Sequence, residues 1–138
     1  MNISYPALFK PEKTGGFFVQ FVDLEEAFTE GETLEEAAFN ASEVLTLTLE
    51  GRMEEGLPIP EPSVRVKGAH YVSPNTRTQA ALLVRRARGD RSLAEVARAL
   101  NSSWAAAKRL EDPRHYPTLK QLERAAAALG KRLVLSFE

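Results

Sequence analysis

The chain has no cysteine and only two histidines among its 138 residues. Without cysteine it can form neither disulfides nor thiolate metal sites. Long hydrophobic runs are also missing. No stretch approaches the length of a membrane-spanning helix, and residues 1–30 lack an apolar run suited to a signal peptide. We therefore expect a soluble, cytoplasmic protein with no membrane partner.

The charged residues are unevenly distributed, although the formal net charge of the whole chain is only −1. Residues 1–63 hold three basic and thirteen acidic residues, a charge of −10. Residues 64–138 hold fifteen basic and six acidic residues, a charge of +9. This division predicts two halves with different partners, of which the acidic half should repel nucleic acid.

The basic half contains a pattern of two short helices around a tight turn, in residues 92–111. Ser92 and Glu95 form an S-x-x-E capping box at the start of the first helix. Asn101 breaks the apolar spacing, and asparagine tolerates the left-handed conformation that a sharp turn requires. Ser103, or the serine before it, can cap the second helix.

This spacing resembles the helix-turn-helix of the Cro/repressor family. The family has a small residue at the position of Ala97, a turn former at Asn101 and apolar residues at the positions of Ala107 and Leu110. Here asparagine replaces the commoner glycine, and Ala107 replaces a larger branched residue. The resemblance implies that outward residues at the turn and on the second helix bind DNA: Ser102, Ser103, Trp104, Ala105, Lys108 and Arg109.

Two questions about this helix pair stay open at the level of sequence. The pair could be purely structural, but a further capped helix follows it and the outward face carries Lys108 and Arg109, which favours DNA binding. Trp104 either packs on the neighbouring helix or touches a thymine methyl group, and the sequence favours neither.

The acidic half predicts a sheet and one long helix. Ile3 to Lys10 and Phe17 to Val22 should form an antiparallel hairpin. Asp23 to Glu32 reads as a loop in which Ala27 to Thr29 could form a short third strand. Thr33 should cap the long helix. Its apolar face is predicted to comprise Leu34, Ala37, Ala38, Ala41, Val44, Leu45, Thr48 and Leu49.

The predicted domains are residues 1–68 and 76–138, joined by a linker at residues 69–75. Three prolines between Leu57 and Ser63 exclude a helix there. A further strand is predicted at Ser63 to Val66, and a terminal strand at Lys131 to Glu138. An apolar terminal strand without an evident partner invites pairing with a second copy, so we expect a homo-dimer or higher homo-oligomer.

The order of these elements resembles that of HicB-type antitoxins of type II toxin–antitoxin systems. The resemblance covers nearly the whole chain, and its most specific part is the string D-L-x-x-A-x-T-x-G-x-T-x-x-E-A that ends at Ala37. The segments that carry it are YPALF at Tyr5 to Phe9, GGFFVQFVDLEEAFTEGETLEEA at Gly15 to Ala37, GLPIPEPS at Gly56 to Ser63, and LERAAAALGKRLVLSF at Leu122 to Phe137.

The resemblance implies an α+β fold. An incomplete RNase H-like antiparallel sheet with one long helix is followed by a helical helix-turn-helix domain that ends in a short strand. The first half is implied to bind and block HicA, a small ribonuclease with a double-stranded-RNA-binding fold that cuts mRNA using a histidine. The second half is implied to bind operator double-stranded DNA and repress the operon. No enzymatic activity, cofactor or metal is expected.

The acidic loop supplies the predicted toxin-binding residues, since a ribonuclease needs a cationic surface for its substrate. They are Asp23, Glu25, Glu26 and Glu30. An alternative is a nuclease in which these carboxylates hold a divalent metal. However, two-metal sites need carboxylates converging from separate elements, and these acids lie in one loop.

A different class of function keeps the DNA binding and makes the acidic half a small-molecule sensor. That would require an apolar pocket with a few convergent polar groups. Phe17, Phe18, Phe21 and Phe28 could line such a pocket, and they could equally form the core.

Overall fold

The computed structural model describes residues 1–138, in which residues 2–75 and 76–138 form two compact units. The first unit contains β1 (Tyr5–Pro11), β2 (Phe17–Phe21), β3 (Phe28–Gly31), α1 (Leu34–Glu55) and β4 (His70–Val72). The second contains α2 (Thr76–Arg88), α3 (Leu93–Ala99), α4 (Trp104–Leu110) and α5 (Leu119–Ala128). The predicted α+β class is confirmed. None of the helices combines the length and apolar character needed to cross a membrane.

The sheet of the first unit has the strand order β3-β2-β1-β4, and every neighbouring pair is antiparallel. The predicted hairpin forms β1 and β2, with Ala7 opposite Phe21 and Phe9 opposite Val19. Ala7, Val19 and Phe21 are at most 1 % exposed and belong to the core of this unit.

Helix α1 packs a row of residues spaced by four into this core. Thr33 caps the helix as predicted, its hydroxyl accepting a hydrogen bond from the Glu36 amide at 3.1 Å. The buried row is Ala37, Ala41, Leu45, Leu49 and Met53. Leu34 and Ala38 were expected on this face, but both are exposed. Each residue turns a helix by about 100°, so Ala38 lies about a quarter turn from the buried Ala37.

Gly31, the last residue of β3, lies against the first turn of α1. A Cβ atom at this position would be 2.4 Å from the Ala37 nitrogen and 2.7 Å from the Ala37 Cα. Gly16, in the turn before β2, has a φ of 81°, and its Cβ would be 2.7 Å from the Gly31 oxygen. Three backbone segments therefore meet where no side chain fits.

The strand predicted at Ser63 to Val66 is absent, and β4 forms a few residues later, within the segment expected to be a linker. Tyr5 donates a hydrogen bond to the Pro60 carbonyl at 2.6 Å, and the Ser63 amide donates to Asp23 at 2.8 Å. Arg65 has a φ of 54°. Contacts to other elements thus hold this segment, and the left-handed residue prevents an extended strand.

The second unit buries small and branched residues at the contacts between its helices. The core cluster comprises Val84, Val96, Ala97, Ala107, Ala125 and Leu129. The capped helix predicted to follow the helix pair is α5, which begins with a complete capping box between Thr118 and Gln121. After it, Gly130 has a φ of 72°, and the Lys131 amide donates to the Ala126 carbonyl at 2.7 Å.

Residues 131–138 form no strand, which differs from the predicted terminal strand. A strand is stabilised by hydrogen bonds to a neighbouring strand, and the second unit contains only helices. Val134 and Leu135 are 72 % and 65 % exposed, and Phe137 is fully exposed. This segment therefore presents apolar side chains to solvent in the single chain.

Candidate partner-binding surfaces

The helix pair in the second unit has the predicted boundaries and N-cap residues, but the capping box predicted for Ser92 and Glu95 is only half formed, because the Glu95 side chain does not bond back to the Ser92 amide. Ser92 accepts a hydrogen bond from the Glu95 amide, and Ser103 accepts one from the Ala106 amide, both at 3.1 Å. Asn101 adopts the left-handed conformation between the helices, with a φ of 52°. Ala97 is 5 % exposed, in keeping with the expectation of a small residue where α3 and α4 approach.

The residues predicted to bind DNA are all exposed at the start and on the outer face of α4. Trp104 is 52 % exposed, so the bulk of its ring remains outside the core. The Lys108 ammonium lies 5.1 Å from the centre of the Trp104 ring, a cation–π contact. The outer face of α4 therefore exposes two cations, Lys108 and Arg109, together with one aromatic ring.

A buried carboxylate beneath α4 was not identified from the sequence. Glu111 is 7 % exposed and accepts two hydrogen bonds from Arg88, at 2.5 and 3.1 Å. The carboxylate raises the pKa of the Arg88 guanidinium above its ordinary value. A second cation, Arg85, lies 3.9 Å away. Because Glu111 immediately follows α4 and Arg88 ends α2, this ion pair joins the two helices. No local pattern distinguishes Glu111 from a surface acid.

Two of the four acids predicted to bind the toxin are engaged within the first unit. Asp23 accepts hydrogen bonds from both the amide and the hydroxyl of Ser63. Glu26 accepts two hydrogen bonds from Arg52, at 2.7 and 2.8 Å, and this contact lowers the pKa of the Glu26 carboxyl. Arg52 also donates to the Pro58 carbonyl at 2.9 Å. These two acids therefore fix the loop to α1 and to the proline-rich segment.

The other two acids face solvent. Glu25 lies in the loop between β2 and β3, and Glu30 lies on β3; both are exposed. The Gln20 side-chain amide holds the loop, lying 3.0 to 3.4 Å from three of the loop's carbonyl oxygens and from that of Phe21 at the end of β2. No group of three or more acidic or histidine side chains is arranged to hold a metal ion.

The four phenylalanines considered for a sensor pocket lie on different faces of the sheet. Phe21 is buried under α1, and Phe17 points to the same face because side chains alternate along a strand. Phe18 and Phe28 contact each other on the opposite face, with ring centres 6.1 Å apart. Phe28 is 54 % exposed. The four rings therefore do not surround a common cavity.

Comparison with known proteins gives consistent matches. A family model described as "HicB_like antitoxin of bacterial toxin-antitoxin system" matches residues 4–78. Antitoxin HicB 1 of Photorhabdus laumondii subsp. laumondii is 33 % identical over 99 % of this chain and 88 % of its own length. Antitoxin HicB of Escherichia coli (strain K12) is 31 % identical over 95 % of this chain and 96 % of its own length.

The matched sheet-and-helix unit and the full-length relatives define an antitoxin of a bacterial toxin–antitoxin system. More narrowly, the chain belongs to the HicB-like antitoxin family. The resemblance found in the sequence is thereby confirmed.

Proposed function

We propose that this antitoxin binds and neutralises a HicA-type mRNA-cleaving ribonuclease and represses its own operon by binding operator DNA. The observation that carries the proposal is the agreement between charge and structure. The unit of residues 2–75 has five basic and thirteen acidic residues, or −8, and the unit of residues 76–138 has thirteen basic and six acidic, or +7. The acidic unit is suited to binding a cationic protein, and the basic unit is suited to binding a polyanion.

The acidic unit is suited to a ribonuclease because an RNA-binding surface must be cationic. Carboxylates on one protein and cations on the other steer the two together and fix their orientation. Exposed Glu25 and Glu30, with Glu26 held beside them by Arg52, would contribute to this surface. Asp23 supports the same surface from within, through its hydrogen bonds to Ser63.

Neutralisation is tested with the full chain and a purified HicA-type toxin. We expect equimolar antitoxin to abolish mRNA cleavage, and the association rate to fall steeply as salt rises, because charges are screened over about 8 Å at physiological ionic strength. A well-folded chain that leaves the toxin fully active would contradict the proposal. A small molecule that changes DNA binding would then favour the sensor alternative.

Operator binding depends, in this proposal, on the outer face of α4. We expect the double variant Lys108→Ala/Arg109→Ala to lose about 1–3 kcal/mol for each base contact removed and to relax sequence preference there. The matched control is Lys120→Ala/Arg124→Ala, which removes one lysine and one arginine from exposed positions on α5, outside the helix pair. Gel-shift titrations with the operator and with a scrambled duplex separate the loss of affinity from the loss of sequence preference. Equal operator affinity for both double variants would exclude α4 as the reading helix.

Residues 131–138 are proposed to pair with the same segment of a second copy. Two-fold pairing lets two helix pairs reach half-sites about 34 Å apart, and an intermolecular ladder would supply the strand partner that the single chain lacks. We expect Leu135→Asp/Phe137→Asp to be monomeric at concentrations where the wild-type chain is dimeric. Lys131→Ala/Arg132→Ala, which keeps the apolar residues, should remain dimeric. Light scattering measures both, and a dimeric Leu135→Asp/Phe137→Asp variant would assign dimerisation elsewhere.

A further inference from the structure

The outward face of α1 carries a row of residues that the core does not explain. A helix turns by about 200° over two residues, so the residue two places after each buried one points away from the sheet. Starting from the buried row, this gives Phe39, Glu43, Leu47, Gly51 and Glu55, which we call the α1 ridge. Phe39 and Leu47 are 67 % and 66 % exposed. Two large apolar side chains thus stand in solvent two helical turns apart.

Gly51 is the second anomaly of the ridge. Glycine inside a helix costs about 1 kcal/mol relative to alanine. A Cβ atom at Gly51 would meet no atom within 4 Å, so no close packing within the chain requires glycine here. Gly51 also keeps an ordinary negative φ, because it is absent from the residues with a left-handed backbone. Neither packing nor backbone conformation accounts for the missing side chain.

Gly51 lines a recess of about 300 Å³ beside the ridge. Leu47 and Leu57 provide apolar walls, and both are exposed. Arg52 and Glu26 also line the recess and form an ion pair with each other. Glu55 lines it as well, is exposed and forms no ion pair. A site with apolar walls and a carboxylate at its edge fits a basic side chain, whose aliphatic stem is apolar and whose end is charged.

The charge around the ridge selects the occupant. Helix α1 contains six glutamates and one basic residue, and that residue, Arg52, is neutralised by Glu26. Pairing of this face with a second copy would bring like charges together. A cationic protein surface has the opposite charge and would cover Phe39 and Leu47 at the same time.

We propose that the α1 ridge is the toxin-docking surface, and that the recess at Gly51 receives a lysine or arginine side chain of the toxin. This inference rests on the proposed neutralisation of a cationic ribonuclease. It moves the centre of the contact from the loop acids to α1, with Glu26 at the shared border. Phe39 and Leu47 then serve as apolar anchors, and the glutamates provide the complementary rim.

The test uses the full chain and a HicA-type toxin whose catalytic histidine is replaced by alanine. We expect Gly51→Leu, which fills the recess, to weaken binding by about tenfold or more in calorimetric titration. Leu47→Ala should weaken it by a similar factor. The matched control, Ala38→Leu, introduces the same side chain at an exposed α1 position outside the ridge, and should bind within about twofold of wild type.

Gly51→Ala separates docking from stability. Alanine should raise the melting temperature by about 2–8 °C because it favours the helix, yet weaken toxin binding by about threefold. A more stable variant that binds less well has no explanation in folding alone.

Three outcomes overturn the inference. If wild type and Gly51→Leu bind the toxin equally, the recess is not part of the interface, while the proposed neutralisation stands. If no HicA-type toxin binds the wild-type chain, both proposals fall. If Gly51→Leu changes only the self-association of the free chain in sedimentation, the ridge is a contact between copies.

Discussion

Replacing Gly31 by alanine is expected to destabilise the sheet-and-helix unit by about 3 kcal/mol or more, because the new methyl group has no space. Its carbon would lie 2.4 Å from the Ala37 nitrogen, and the neighbouring atoms belong to the backbone of α1 rather than to a flexible side chain. The end of β3 and the start of α1 would have to separate. A loss of this size is a large fraction of the stability of a small domain.

Urea unfolding and amide hydrogen exchange measure this effect. Exchange should become faster in residues 2–75, where the contact lies. Gly51→Ala is the matched control, since it is the same substitution in the same unit at a position where a Cβ meets nothing within 4 Å. The free energy of unfolding should fall for Gly31→Ala and rise for Gly51→Ala. An unchanged urea midpoint for Gly31→Ala would mean that β3 and α1 lie farther apart than these distances.

Replacing Glu111 by alanine is expected to destabilise the helical unit by about 1–3 kcal/mol, because the partly exposed Arg88 and Arg85 lose the buried carboxylate that they share. Arg88 would lose both of its hydrogen bonds to the carboxylate, and the nearby Arg85 would lose its counter-charge. The ends of α2 and α4 would then be joined by fewer contacts. Operator affinity should fall as well, because α4 would be less firmly held.

Two control variants separate burial from charge. Glu123→Ala removes an exposed acid from α5 and should change the free energy of unfolding by less than about 0.5 kcal/mol. Glu111→Gln keeps the size of the side chain and one acceptor oxygen, so its change in the free energy of unfolding should lie between those of Glu111→Ala and Glu123→Ala. Urea unfolding followed by circular dichroism gives the comparison. Equal effects of Glu111→Ala and Glu123→Ala would show that the buried ion pair contributes little.

Features with local chemical signals were predictable from the sequence. Thr33, Ser92, Ser103 and Thr118 all cap helices because each hydroxyl accepts a hydrogen bond from the amide three residues ahead. The turn at Asn101 follows from the same kind of short-range reasoning. The hairpin also depends on nearby residues, since its strands are adjacent in the chain.

Features that depend on distant contacts were not predictable. The third-strand glycine, Gly31, sits in the family string, but its reason is a contact with α1 that spacing alone does not reveal. β4 forms by pairing with β1, with Ala7 opposite His70, and Asp23 holds Ser63 from 40 residues away in the chain. Exposure of Leu34 and Ala38 depends on the direction in which α1 crosses the sheet. Residues 131–138 have strand-like spacing, yet spacing cannot supply the neighbouring strand.

The candidate surfaces divide in the same way. The outer face of α4 was outlined by short-range spacing, and its predicted residues are exposed together. The acidic loop was recognised by composition, but composition could not tell the solvent-facing Glu25 from the inward Asp23. Glu111 and the α1 ridge were missed because burial and exposure on a helix depend on what packs against it.

Trp104 is the only tryptophan in the chain, and it lies half-exposed on the outer face of α4 with the Lys108 ammonium 5.1 Å from its ring centre. Indole emission responds to nearby charge and to contact with water. The protein therefore carries an intrinsic optical label on one unit alone. A duplex that covers α4 should displace solvent and the ammonium from the ring, and so change the wavelength and intensity of the Trp104 fluorescence. A tryptophan-free partner bound to residues 2–75 should leave the Trp104 fluorescence unchanged. DNA binding and partner binding can therefore be followed separately in one sample without an added dye.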